Sequence, residues 1–220
     1  MLFRSGTDLE DFETHVLTTQ FSRTVRPTYD FDITGRVARF RNLDDRSETD
    51  DVSITLGVSH DFSETTRGSI EVGYRETEET TDTERGEDTG YVFLARLTDR
   101  SELARFDGFL RHDLSPSGLG QPVQTTQFRM RWRKAIYRKL SFLLRTNIFR
   151  NEALGGGSSS ADRRYADIES GLSWRWRPQW FLTGRYRYRY SKFDEDPEST
   201  RSNAVFLDIT YAFYGSPASY

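Results

Sequence analysis

The chain reads as all-β: an antiparallel up-and-down transmembrane β-barrel, with eleven strands visible and twelve expected in the complete protein. Three observations predict this class. The first is period-two alternation held for about ten residues at a time, which gives each run one apolar and one polar face. Ala166 to Tyr190 shows it best: Ala166, Ile168, Leu172, Trp174 and Trp176 share one face, and Asp167, Glu169, Ser173, Arg175 and Arg177 the other. After Pro178 and Gln179 the pattern resumes, with Leu182, Gly184, Tyr186, Tyr188 and Tyr190 opposing Thr183, Arg185, Arg187 and Arg189. Crossing a bilayer takes about 9–11 tilted residues per strand, and runs of that length with aromatic ends are long for a soluble hairpin. The second observation is that the connections alternate, short then long, as in bacterial outer-membrane barrels. The third is compositional. Only 35% of residues are hydrophobic and 14% are aromatic, and no run approaches the roughly 18 apolar residues of a membrane helix. That excludes a helical membrane protein and leaves the barrel, whose hydropathy signal is diluted by the alternation.

The runs follow one another through the chain. Glu13 to Phe21 is the weakest, because Val16 and Thr18 interrupt its pattern. A turn at Val25 to Thr28 leads to Tyr29 to Phe40, where Phe31, Ile33 and Val37 oppose Asp32, Thr34 and Arg36. Asp51 to Asp61 is the cleanest, with Val52, Ile54, Leu56 and Val58 against Ser53, Thr55, Gly57 and Ser59. Gly68 to Thr77, Thr89 to Thr98 and Glu102 to Leu114 continue the rhythm, followed by Val123 to Ala135 and Leu140 to Arg150. Asn203 to Phe213 is the last run. The long connections are expected at Arg41 to Asp50, Glu78 to Asp88, Ser115 to Pro122, Asn151 to Arg163 with its three consecutive glycines, and Phe193 to Ser202. Prolines, glycines and serines in these stretches are what connections require. A soluble β-sandwich that buries one face of each sheet is the competing architecture. Its loops would not sort into two lengths.

If the long connections face outside, the first and last strands both descend, and an even barrel needs one more ascending strand upstream. Met1 to Ser5 also carries no basic and apolar secretory signal. The expectation is therefore a single barrel domain over 1–220, truncated at its N-terminus. The absence of cysteine excludes thiolate metal sites and disulfides, and a net charge of −3 selects no partner class.

The segment from Gly171 to Phe213 resembles the β-barrel porin 2 group, outer-membrane proteins encoded beside exopolysaccharide or exosortase gene clusters in proteobacteria. The residues that carry the resemblance are Ser173 to Arg175, Trp180 to Arg189 and Ser202 to Tyr211, about the last third of the chain. The resemblance implies a bacterial outer-membrane location and an indirect link to polysaccharide export. It departs at the end, because Gly215 to Tyr220 extends beyond Tyr214.

The polar faces carry the chemistry. Arg105, Arg129, Arg131, Arg133, Arg145, Arg175, Arg185, Arg187 and Arg189 all fall on the lumen side, with fewer acids beside them: Asp32, Glu71, Asp107, Asp167, Glu169 and Asp208. A guanidinium pairs bidentately with carboxylate or phosphate and keeps its charge, so this excess points to an anion-preferring lumen. Anionic solutes and exopolysaccharide are the candidate cargo. The bland alternative is that the arginines pair with acids on neighbouring strands and fill the barrel, since twelve strands lie between a plugged eight and an open sixteen. That would make a closed structural or surface-binding barrel. Trp132, Trp174, Trp176, Trp180, Tyr186, Tyr188 and Tyr190 fall on the other face and read as a lipid-facing girdle. Sugar stacking is their alternative role.

The acidic stretches Asp44 to Asp51, Glu76 to Asp88 and Asp194 to Glu198 lack calcium-loop spacing and read as solvated loops. His15, His60 and His112 lie on separate runs, and no nucleophile motif surrounds His112-Asp113-Leu114-Ser115, so no catalysis is expected. No cofactor, metal or nucleic acid is expected either. The expected partners are outer-membrane lipid, lipopolysaccharide and the barrel-assembly machinery.

Overall fold

The structure, a computed structural model, describes residues 12–42, 48–80, 85–116, 122–153, 162–193 and 198–213. The strands are β1 (Phe12–Arg26), β2 (Tyr29–Asn42), β3 (Glu48–Asp61), β4 (Thr66–Thr80), β5 (Arg85–Arg100) and β6 (Ala104–Pro116). They continue as β7 (Pro122–Tyr137), β8 (Leu140–Ala153), β9 (Arg163–Arg177), β10 (Trp180–Phe193) and β11 (Thr200–Tyr211). All eleven form one sheet in sequence order, every neighbour antiparallel, as the alternation predicts. No helix in the described residues is long and apolar enough to cross a membrane.

Alternation becomes sidedness through the register. Arg36 pairs with Ser53 and Ser53 with Arg75, so one row of polar side chains runs across β2, β3 and β4 on the concave face. The opposite row, Gly35, Ile54 and Tyr74, faces out. Ile54 is 57% exposed, Leu207 72% and Ile209 68%. A protein in water buries such side chains, whereas a barrel presents them to lipid. The girdle residues lie on this outer face: Trp174, Trp176 and Trp180 gather at the short-turn end, with Trp180 packed 5.0 Å from Tyr211. Trp132 sits edge-on to Phe142 at 5.7 Å on the same face. Tyr186, Tyr188 and Tyr190 climb the outer face of β10 toward the long connections.

The sheet curls onto itself. Ala38 and Phe40 of β2 cluster with Leu114 of β6, four strands away, and Arg36 Nη1 lies 4.0 Å from Asp113 Oδ1. Among the described residues no ladder joins β1 to β11, so these two are edge strands. Both run from the long-connection end to the short-turn end, as the up-and-down order requires.

Several boundaries differ from the sequence expectation, mostly because strands run further at the long-connection end. β1 extends to Arg26, and its concave row of Thr18, Gln20, Ser22 and Thr24 pairs with Arg36, Thr34, Asp32 and Asp30. The acidic stretch Glu76 to Asp88 is largely a hairpin, since β4 reaches Thr80 and β5 starts at Arg85 with Glu78 opposite Glu87. Asp44 to Asp51 is also partly strand: Glu48 and Asp50 pair across β2 with Arg41 and Arg39, at 2.9 and 2.7 Å. Backbone ladders and cross-strand ion pairs thus carry strands of 12 to 16 residues past the span a bilayer needs. Of the expected long connections, residues 43–47, 81–84, 117–121, 154–161 and 194–197 lie outside the described residues, as do Met1 to Ser5 and Tyr214 to Tyr220.

Candidate functional site: the arginine-lined lumen

All nine candidate arginines face the concave side. The β6–β7 register sets Arg105 opposite Arg133, Asp107 opposite Arg131 and Phe109 opposite Arg129. β8 adds Arg145 opposite Arg131. On β9 and β10, Asp167 stands opposite Arg189, Glu169 opposite Arg187 and Gly171 opposite Arg185. Arg175, next to the β9–β10 turn, is paired with Phe181.

From there the nine divide. On β10 the arginines are saturated by acids. Arg185 donates from Nη2 to Asp208 Oδ2 at 2.8 Å and lies 3.3 Å from Glu169. Arg187 grips Asp167 with two nitrogens, its Nε donating to Oδ1 at 2.8 Å, and Arg189 Nε reaches the same carboxylate at 3.3 Å. Tyr165 donates its hydroxyl to Asp167 as well, at 3.1 Å. Arg145 lies 3.6 Å from Glu169. This band is an acid–arginine ladder, and there the bland alternative describes the geometry.

Arg105, Arg129, Arg131, Arg133 and Arg175 differ: among the described residues none has a carboxylate within ion-pair distance. Arg129 lies over the Phe109 ring at 5.6 Å. Arg175 Nη2 donates to the Arg138 carbonyl at 2.9 Å. Around these side chains the lumen is open. A cavity of ≈ 400 Å³ holds Arg129, Arg131 and Arg145 at mid-height. A second of ≈ 850 Å³ shares Arg131 and Arg145 and adds Arg105 and Arg133. A third of ≈ 550 Å³ shares Arg105 and Arg133 and reaches the turns at Arg138 and Lys139. Their shared lining residues make them neighbours, from mid-lumen to the short-turn mouth.

The other side of the lumen, toward the long-connection end of β2 to β4, is packed. Ala38, Asp51, Arg75 and Thr77 are essentially inaccessible, at 0–1% exposure, and Phe40 and Leu114 cluster with Ala38. Asp51 accepts from Arg36 at 3.1 Å and from Thr77 Oγ1 at 3.2 Å. Arg75 lies flat across β5 at Gly90, where a Cβ would fall 2.7 Å from its Nη2, and its nearest acid is Asp88 at 3.5 Å. A glycine there is what lets a guanidinium fold against the wall.

Sequence reasoning missed an aromatic group at the long-connection mouth. Phe149, Tyr165 and Phe193 face the lumen, and the Arg163 guanidinium lies over all three rings at 5.7, 5.1 and 5.0 Å. The only sequence signal was their register, which placed them on nominally polar faces. The histidines do not meet. His112 stacks on Tyr91 at 4.4 Å with Nδ1 2.8 Å from Thr126 Oγ1, and His60 stacks on Tyr29 at 4.0 Å.

No protein-family model and no curated protein matches the sequence. Among solved structures, the chain is similar to the outer-membrane channel DcaP of Acinetobacter baumannii, with TM-score 0.54 at 12% identity over 89% of this chain. The chain spans 62% of the length of DcaP. Weaker likenesses, each with TM-score 0.39 and 10% identity, are to a Pseudomonas aeruginosa FadL homologue and to the monoaromatic hydrocarbon channel CymD. They cover 91% and 92% of this chain, and 66% and 74% of those proteins. The DcaP likeness shows the fold, that of a bacterial outer-membrane β-barrel. With the apolar outer face, this fold places the chain in the outer membrane.

Proposed function

We propose that the protein is a porin-like passage with an anion-preferring lumen. The observation that carries this is the row of inward arginines on β6, β7 and β9 that line open cavity and close no ion pair, outnumbering the acids Asp99, Glu102 and Asp107 in the same wall. Low-dielectric walls lined by charge of one sign focus the field and raise the local concentration of the opposite ion. The resemblance of the last third to the β-barrel porin 2 group supports a role associated with exopolysaccharide export, with lipopolysaccharide around the barrel and the assembly machinery as partners in biogenesis.

A second reading has its own observation. The packed corner at Asp51, Arg75 and Thr77 suits a closed barrel that presents its outer loops. Single-channel recording of the full-length protein in a planar bilayer under a KCl gradient separates the two. A stable conductance with an anion-selective reversal potential, weakened in Arg131→Ala/Arg133→Ala, supports the passage. A folded, heat-modifiable barrel that carries no current supports the closed form.

A further inference from the structure

We propose that the short-turn mouth of the lumen is a binding site for a small, multiply charged oxyanion, of the condensed-phosphate or polycarboxylate class. The ≈ 550 Å³ cavity there is lined by Arg105, Arg133, Arg138, Lys139 and Arg175, with Glu102 the one acid in its wall. Five cations against one acid leave a surplus of four positive charges. Among the described residues none of the five makes an ion pair, in contrast to the ladder on β10, where Arg185, Arg187 and Arg189 each meet an acid. Arg105 and Arg133 are direct cross-strand partners, an arrangement that like charge makes unfavourable unless an anion sits between them.

The mouth is also held in shape. The Arg175 amide donates to the Lys139 carbonyl at 2.7 Å and its Nη2 to the Arg138 carbonyl at 2.9 Å, so the β7–β8 turn is tied to β9 twice. The Ala135 amide donates to the Leu103 carbonyl at 2.8 Å, which ties the β5–β6 turn to β7. Arg105, Arg133 and Arg175 therefore project from strand ends, and Arg138 and Lys139 from a tied turn, into a volume within the range of small-ligand sites, roughly 300–1,000 Å³. A monovalent ion can meet one guanidinium fork. Only an anion with several oxyanion groups engages several of the four forks and the ammonium together.

The site deepens the anion-preferring reading and rests on it, yet its test measures binding and so reads out even from a closed barrel. The full chain, refolded in detergent micelles, is titrated calorimetrically with pyrophosphate, citrate and sulfate at one ionic strength. The expected result is saturable binding of pyrophosphate or citrate at least tenfold tighter than sulfate. The tighter of the two names the source as phosphate or carboxylate. Arg133→Ala/Arg175→Ala is expected to weaken binding at least tenfold, and Arg133→Lys/Arg175→Lys, which keeps the charge, to retain most of it. Arg39→Ala, which removes a cation at the opposite end, is expected to change nothing. Binding no tighter than that of sulfate, or binding that survives the double alanine variant in a heat-modifiable barrel, overturns the proposal.

Discussion

The arginines of β10 and those of β7 obey the same alternation and meet opposite fates. On β10, Arg185, Arg187 and Arg189 are flanked by Asp167 and Glu169 of β9 and by Asp208 of β11, and each closes an ion pair. On β7, Arg129, Arg131 and Arg133 are flanked by Phe109, Asp107 and Arg105 on one side and by Asn147, Arg145 and Leu143 on the other. Only Arg131 has an acid opposite it, and the two do not close a bridge. The side chain is the same, so its role is decided by the neighbouring strands. One row braces the wall, and the other leaves charge facing the cavity.

Removing a bracing acid has the largest expected effect. Asp167→Ala strips a partner from Arg187, Arg189 and Tyr165 at once and leaves Glu169, already engaged by Arg185, as the one acid beside the part-buried Arg187. We expect a loss of about 2 kcal/mol, seen as a lower denaturant midpoint for unfolding from lipid vesicles. The unpaired row behaves the other way. Arg131→Ala changes stability by less than about 0.5 kcal/mol and shifts the reversal potential toward zero. Equal destabilisation by the two variants would erase the distinction.

Converting one row into the other sharpens it further. Asn147→Asp places a carboxylate opposite Arg129, recreating on β7–β8 the pairing found on β9–β10. Because Asp167 of β9 stands on the other side of residue 147, like-charge repulsion offsets the new pair, and weakened anion preference with a stability change below about 0.5 kcal/mol is expected from the reversal potential and the denaturant midpoint together. The smallest effect is that of salt. Raising KCl from 0.1 to 1 M shortens the screening length from about 10 to about 3 Å, so the anion selectivity of the open row falls while barrel stability changes little. Selectivity that persists at 1 M would point to pore size in place of charge.

Much of the fold was legible because period two is a local signal. Val52, Ile54, Leu56 and Val58 declare a lipid face without any knowledge of their neighbours. The outer placement of Trp174, Trp176 and Trp180 followed in the same way. Strand ends were less legible: Glu78, Glu79, Glu87 and Asp88 look like loop residues by composition, yet the ladder between β4 and β5 continues through them. The arginine site was legible as a list of inward residues. Which of them carry free charge was not, because that depends on the register between neighbouring strands, as Asp208 with Arg185, 23 residues apart, shows.

The sequence by itself therefore determined the class and the sidedness, since alternation and strand length depend only on residues next to each other along one strand. The tertiary structure decided the rest. It set Asp167 between Arg187 and Arg189, closed the corner around Asp51 and Arg75, and left Arg105, Arg133 and Arg175 around an open mouth. Pairing depends on which strands lie side by side and at what register, and the curl of the sheet brings β2 against β6 where no local pattern could.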